Sequence, residues 1–164
     1  MSTIYLDTET TGLNPPKAEI VEITIIDDEG NSIIDTLVKP LNLTSWPQAQ
    51  RIHHISPAMV ADAPTLDDIA ERIKEAVKGK TVVIYNAGYD TTFLPELLDS
   101  ADSVECCMLR WSEHKGEWSD YRQSYKWFKL SDAAAEIGYQ WEGEAHRALA
   151  DTLATRAVWN YLNK

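Results

Sequence analysis

The run Thr81-Val82-Val83-Ile84-Tyr85 is short and almost wholly apolar, with none of the polar–apolar alternation of a strand that faces water on one side. A strand of that kind is buried on both faces, which requires neighbours on both edges and helices above and below. It places the chain among α/β folds. The flanking segments agree. Residues 2–9 read as a first strand, 18–27 as a second rich in isoleucine and valine, and 32–38 as a third. The turn Asp28-Glu29-Gly30-Asn31 joins the last two as an antiparallel hairpin. Thr65 then opens a helix, with Asp68 three residues on as a capping box and Leu66, Ile69, Ile73 and Val77 as its apolar stripe. Further expectations are a helix from about Asp90, a fifth strand over 104–107, and helices over 131–138 and 146–162. Three strands, then strand–helix alternation, then helices, specify a mixed α/β sheet with an antiparallel and a parallel side.

The first strand carries an unusual pair, Asp7-Thr8-Glu9. Residues i and i+2 of a strand point to the same face, so Asp7 and Glu9 aim at one place. Two like charges so close repel and lose solvation unless a cation lies between them. An acidic pair on a solvated strand end would look the same, so the pair needs partners. Asp90 follows the buried 81–85 strand, at the end of a sheet strand where open α/β sheets keep their sites. On its own it reads equally well as a helix-capping aspartate. Asp151 lies in the last helix beside its buried stripe, where an unpaired carboxylate is costly. His146 is five residues earlier. On a continuous helix that spacing turns the side chains about 140° apart and about 7.5 Å along the axis. His146 is therefore expected on the preceding loop or first turn, as a proton acceptor and not a ligand.

Four acids from four places in the chain would repel one another without cations. An oxygen-only donor set selects Mg²⁺, with Mn²⁺ as a substitute, over zinc. Two such ions about 3.5–4 Å apart are the arrangement that serves phosphodiester cleavage. The expected catalytic set is Asp7, Glu9, Asp90, His146 and Asp151, the four acids being the metal ligands.

These residues carry a resemblance. Asp7-x-Glu9 followed by Thr10-Thr11-Gly12-Leu13, then Asn86-Ala87-Gly88-Tyr89-Asp90, then His146-x-x-x-x-Asp151 resemble the three motifs of the DEDDh 3′→5′ exonucleases. That group includes polymerase proofreading subunits, exonuclease X, ribonuclease T and oligoribonuclease, and the likeness is greatest to the exonuclease X branch. The segment Ile52-His53-His54-Ile55-Ser56-Pro57 is similar to the family's loop after the hairpin. The resemblance implies a ribonuclease H-like fold, a five-stranded sheet in the order 3-2-1-4-5 with one strand antiparallel, spanning 1–164 as a single domain. It implies stepwise release of 5′-mononucleotides from a 3′ end. Thr8 and Thr10 would hold the terminal 3′-hydroxyl, Leu13 would wedge against the terminal base, and His53, Asn86 and Tyr89 would line the nucleotide pocket. Tyr85 and Tyr89 depart from the histidine and phenylalanine common at those positions.

Composition narrows the partners. Fifteen basic against 26 acidic residues give a net charge of −11, which argues against a non-specific polyanion binder. Nucleic-acid 3′ ends, DNA ahead of RNA, must be held locally, and a homodimer or a polymerase assembly is compatible. An RNA-trimming enzyme or a proofreading subunit is the alternative reading. No apolar run is long enough to span a membrane, and no secretory leader is expected. The adjacent Cys106 and Cys107 are not expected to bridge, so the expected compartment is cytoplasmic. Residues 107–131 gather six of the fifteen aromatics with a local charge of +2. They suit single-stranded nucleic acid, but Trp118, Tyr121, Tyr125 and Phe128 also fall at helical spacing, as a buried stripe or a dimer face would.

Overall fold

A computed structural model describes residues 2–164. Its main sheet has five strands, β1 (Thr3–Thr10), β2 (Ile20–Ile26), β3 (Ser32–Leu37), β4 (Thr81–Ile84) and β5 (Ser103–Cys106). Their order is β3-β2-β1-β4-β5. β2 runs antiparallel to β1 and β3, whereas β4 runs parallel to β1 and β5. β2 is thus the one antiparallel strand, and the expected mixed sheet is the observed one. The helices are α1 (Pro47–His53), α2 (Leu66–Val77), α3 (Ala87–Asp90, a single turn), α4 (Cys107–Lys115), α5 (Leu130–Glu136) and α6 (Ala148–Leu162).

Period-two alternation in β1 decides what each face does. Ile4 and Leu6 join Ile69, Ile73 and Val77 of α2 in the core on one face. Tyr5 points the other way, into a second core with Trp111 of α4, Ala133 of α5, and Val158 and Trp159 of α6. Asp7 and Glu9 share the parity of Tyr5, so they emerge at the end of β1 on the α6 side. β2 is buried along its whole length, and β4 is buried as its apolar sequence requires. Thr65 and Asp68 form the expected reciprocal cap, with N–H···O distances of 3.2 and 3.0 Å.

Three local expectations are overturned. No helix starts at Asp90. That residue ends the one-turn α3, and a 3₁₀ turn follows over Thr91–Phe93. Pro95 disfavours a helical Leu94, and Leu94 indeed leaves the helical region at φ −126°. The last helix begins at Ala148, two residues later than expected, because His146 sits at φ 67°, outside the right-handed helical region. The aromatic spacing in 118–128 is not a helix. Those residues follow an unforeseen helix, α4, and build a small hairpin from β6 (Trp118–Ser119) and β7 (Ser124–Tyr125). Both cysteines are free. Among the described residues no helix is long and apolar enough to cross a membrane.

Candidate metal and nucleic-acid site

Asp7 and Glu9 from β1 meet Asp151 from the first turn of α6, with one carboxylate oxygen from each lying within 4.8 Å of the others. Asp90 stands outside that set. Its Oδ2 accepts a hydrogen bond from Thr8 Oγ1 at 3.3 Å, yet it lines one hollow of about 300 Å³ with Asp7, His146 and Asp151. The four acids are brought together as expected, three in direct reach of one ion and the fourth beside them.

Their electrostatics follow from burial and mutual repulsion. Burial, then the charge of Asp90, raises the Asp7 carboxyl well above the usual carboxylate range. Glu9 is pushed up to about 9 by burial and by Asp151. Asp90 is pushed up to about 7, again by burial first, with the hydrogen bonds from Thr8 opposing it. Burial also raises Asp151, while the backbone amide of His146 pulls it back down. Oδ2 of Asp7 is buried without any hydrogen-bond partner. A buried polar atom left unpaired calls for an ion or water. An all-carboxylate donor set with such an atom fits a divalent, oxygen-seeking cation.

His146 is exposed at the rim of the hollow. Its amide donates to Asp151 Oδ1 at 3.0 Å. The imidazole is thereby tethered through the main chain to a carboxylate of the cluster while the ring stays free to meet solvent. The left-handed backbone costs a non-glycine residue about 1–2 kcal/mol, and strain of that kind gathers at functional positions.

On the other side of the acids lies a pocket of about 510 Å³, lined by Thr8, Thr10, Leu13, Ile52, His53, Asn86 and Tyr89 among others. Every residue expected to bind the terminal nucleotide is therefore in one pocket. Asn86 belongs to both hollows and marks the boundary between them. Tyr89 Oη donates to Gly12 O at 2.8 Å and lies 2.6 Å from Thr10 Oγ1, which holds the Thr10–Gly12 turn in place. Leu13 is 76% exposed at the mouth. His53 is nearly buried. It accepts from Ile55 N at Nδ1 (3.0 Å), so its proton sits on Nε2 and is donated to Thr10 O at 3.0 Å. Both nitrogens are engaged, and His53 offers the pocket its ring and not a polar atom.

Sequence reading missed Glu22 and Arg147. Glu22 is only 4% exposed, opposite Glu9 in the β1–β2 register. It accepts from Arg147 Nη2 at 2.7 Å and Nε at 3.1 Å, and from Ala148 N at 2.9 Å. This bidentate pair and the α6 N-terminus lock the His146–Asp151 segment onto β2. The signal was present, a lone carboxylate inside Ile20-Val21-Glu22-Ile23, but its partner lies 125 residues away.

The exonuclease family model (RNase_T) matches residues 4–159. An uncharacterized exonuclease of Escherichia phage 186 is 40% identical over 98% of this chain and 88% of its own length. Exodeoxyribonuclease 10 of Escherichia coli K12 is 38% identical over 56% of the chain, a stretch that covers 40% of that enzyme. Among solved structures, exonuclease X in complex with 5′-overhanging duplex DNA superposes with a TM-score of 0.76 at 27% identity, covering 98% of this chain and 90% of that one.

Proposed function

Because the chain belongs to the exonuclease family, we propose that it is a divalent-metal-dependent 3′→5′ exonuclease that releases 5′-mononucleotides from single-stranded or frayed DNA ends. The observation that carries this reading is the convergence of Asp7, Glu9 and Asp151 within 4.8 Å, next to a pocket of nucleotide size.

The terminal nucleotide enters the pocket with its base against Leu13 and the ring of His53, and its sugar by Thr10 and Asn86. The pocket's position beside the carboxylates then sets the scissile phosphate over Asp7, Glu9 and Asp151. Mg²⁺ held there, with Mn²⁺ as a substitute, would neutralise the acids and polarise the phosphoryl oxygens. The His146 imidazole accepts a proton from the attacking water. The water oxygen bonds to phosphorus and the P–O3′ bond breaks. The phosphate leaves on the 5′ side of the released nucleotide, and the shortened strand keeps a 3′-hydroxyl. Asp90 completes the negative wall and positions Thr8 through their hydrogen bond.

Digestion of matched 3′-labelled and 5′-labelled DNA and RNA oligomers with Mg²⁺ tests polarity, sugar and product together. The 3′ label is expected to appear at once as mononucleotide, while the 5′ label survives until the last steps, with DNA cut faster than RNA. Release that continues unchanged in excess chelator would overturn the metal-dependent reading. For His146→Ala, kcat is expected to fall about a hundredfold, within the usual range for loss of a general base. Mg²⁺ affinity should be kept, because only the backbone amide of residue 146 touches Asp151. A variant with the same kcat and pH profile as the parent would remove His146 from the base role.

A further inference from the structure

Among the described residues, four of the five exposed aromatic side chains fall within ten positions: Trp118, Tyr121, Tyr125 and Trp127. They belong to the hairpin of β6 and β7 and to the irregular segment leaving it. A two-stranded hairpin is marginal by itself in water. Here the rings brace it, with Trp118 edge-on to Tyr125 at 5.6 Å and the Arg122 guanidinium 4.5 Å over Trp127. Main-chain bonds from Gln123 N to Ser119 O (2.8 Å) and Lys126 N to Glu117 O (2.7 Å) close it. Tyr121, at the tip, is 98% exposed.

Charge and continuity say what this surface meets. Lys115 is paired with Glu136 at 2.6 Å. The hairpin and the segment after it carry Arg122, Lys126 and Lys129 against Glu117 and Asp120, so 3 − 2 leaves +1 in a chain of −11. From Tyr125 the chain runs on to Lys129, Leu130 and Ser131, which form a wall of the hollow that holds Asp7 and His146. Tyr85, at the end of β4, pins that stretch by donating its hydroxyl to Phe128 O at 2.5 Å. At about 3.6 Å per extended residue, Trp127 lies no more than about 7 Å from Lys129, and Tyr125 no more than about 14 Å. The aromatic hairpin thus extends the wall of the acid site outward. A second copy of this chain is a poor occupant. In a two-fold contact the patch would face itself, setting its excess positive charge against its own image.

We propose that the hairpin 117–127 is a stacking platform for single-stranded DNA on the 5′ side of the scissile phosphate. Tyr121 and Trp127 take successive bases, and Arg122, Lys126 and Lys129 take phosphates. Such rings bind a strand with little regard to sequence, because every base has a face to stack. The side of the phosphate rests on the exonuclease reading above, but the binding does not.

Tryptophan-fluorescence titration with the oligonucleotide dT₁₂, in chelator so that no hydrolysis occurs, measures the platform apart from catalysis. Quenching is expected for the parent chain, with a Kd at least tenfold weaker in Tyr121→Ala/Trp127→Ala. In Arg122→Ala/Lys126→Ala the slope of log K against log salt should shrink by about 0.7 for each cation removed. Tyr121→Ala alone controls for folding, since that ring is almost fully solvated. An unchanged Kd in the double aromatic variant would overturn the proposal. So would sedimentation showing a parent dimer that the same variant dissociates, which would make the hairpin a self-association face. Failure to release nucleotides with Mg²⁺, alongside an intact titration, would count against the exonuclease reading and not against the platform.

Discussion

Asp7→Asn is expected to abolish nucleotide release and, at the same time, to raise the melting temperature of the metal-free protein. The two effects have one cause. Asp7 has an unpartnered buried oxygen and is crowded by Asp90, Glu9 and Asp151. Lewis-acid stabilisation by bound metal is worth several kcal/mol, and about 1.36 kcal/mol is a factor of ten in rate. Loss of a central ligand should then cost about a thousandfold or more.

The stability side follows by linkage. A carboxyl whose folded-state pKa is raised contributes stability that is present below its unfolded value and is lost as pH rises through its folded value. For Asp90 that loss runs from about 4 up to about 7, and for Glu9 it extends up to about 9. The metal-free parent should melt at progressively lower temperature between pH 5 and 9. The asparagine variant, lacking one of these groups, should lose less, so its advantage widens with pH. A gain of about 1–2 kcal/mol corresponds to roughly 2–8 °C for a chain of this size. Saturating Mg²⁺ should reverse the order, because it binds only the parent well and stabilises what it binds. Melting curves with and without Mg²⁺ at pH 5, 7 and 9 provide the check. A variant that melts below the parent at every pH without metal would mean the acids are not in conflict.

The second large effect is expected at the Glu22–Arg147 pair. Glu22 is buried, but the Arg147 side chain is 34% exposed. Losing the arginine therefore costs about 1.5–3 kcal/mol, the range for hydrogen bonds to a charged group, and not the full cost of breaking a wholly buried pair. Arg147→Ala is the harsher case. It leaves Glu22 unpaired opposite Glu9, adding a negative charge to a region already overloaded with them. A fall in melting temperature of about 3–12 °C is expected, at about 2–4 °C per kcal/mol, together with a large loss of kcat. Replacing both residues, as in Glu22→Leu/Arg147→Met, should recover most of the stability, as apolar substitutes for buried pairs often do. It should not recover kcat, because the tie that aims His146 and Asp151 is still missing. Recovery of full activity in the double variant would show that packing alone sets the α6 N-terminus, and the pair would then be structural only.

The readable part of the fold was local. The two-sided burial of 81–85, the alternation in 2–9, the Asp28–Asn31 turn and the Thr65–Asp68 cap are each set by neighbours a few residues away. Each appears in the structure near its expected bounds. The hairpin at 118–125 was obscured because aromatic residues at spacings of three and four satisfy a helix pattern as well as any other. Only their exposure distinguishes the two, and exposure is a property of the folded molecule.

The candidate site divides the same way. Sequence alone determined which side chains are candidates: a same-face acidic pair on β1, an acid after β4, and an acid on the last helix with a histidine too far back to share its face. The pair on β1 and the His146–Asp151 spacing need only the periods of strands and helices, and Asp90 only its place at the end of a sheet strand. Tertiary structure alone decided how the groups are held. It placed Asp90 on Thr8 and outside the tight three-acid set, closed both nitrogens of His53 onto the backbone, and joined Glu22 to Arg147 across the chain. The physical reason is range. Periodicity is written within one element, whereas desolvation, repulsion and ion pairing depend on which elements come within a few ångströms, and no single segment records that.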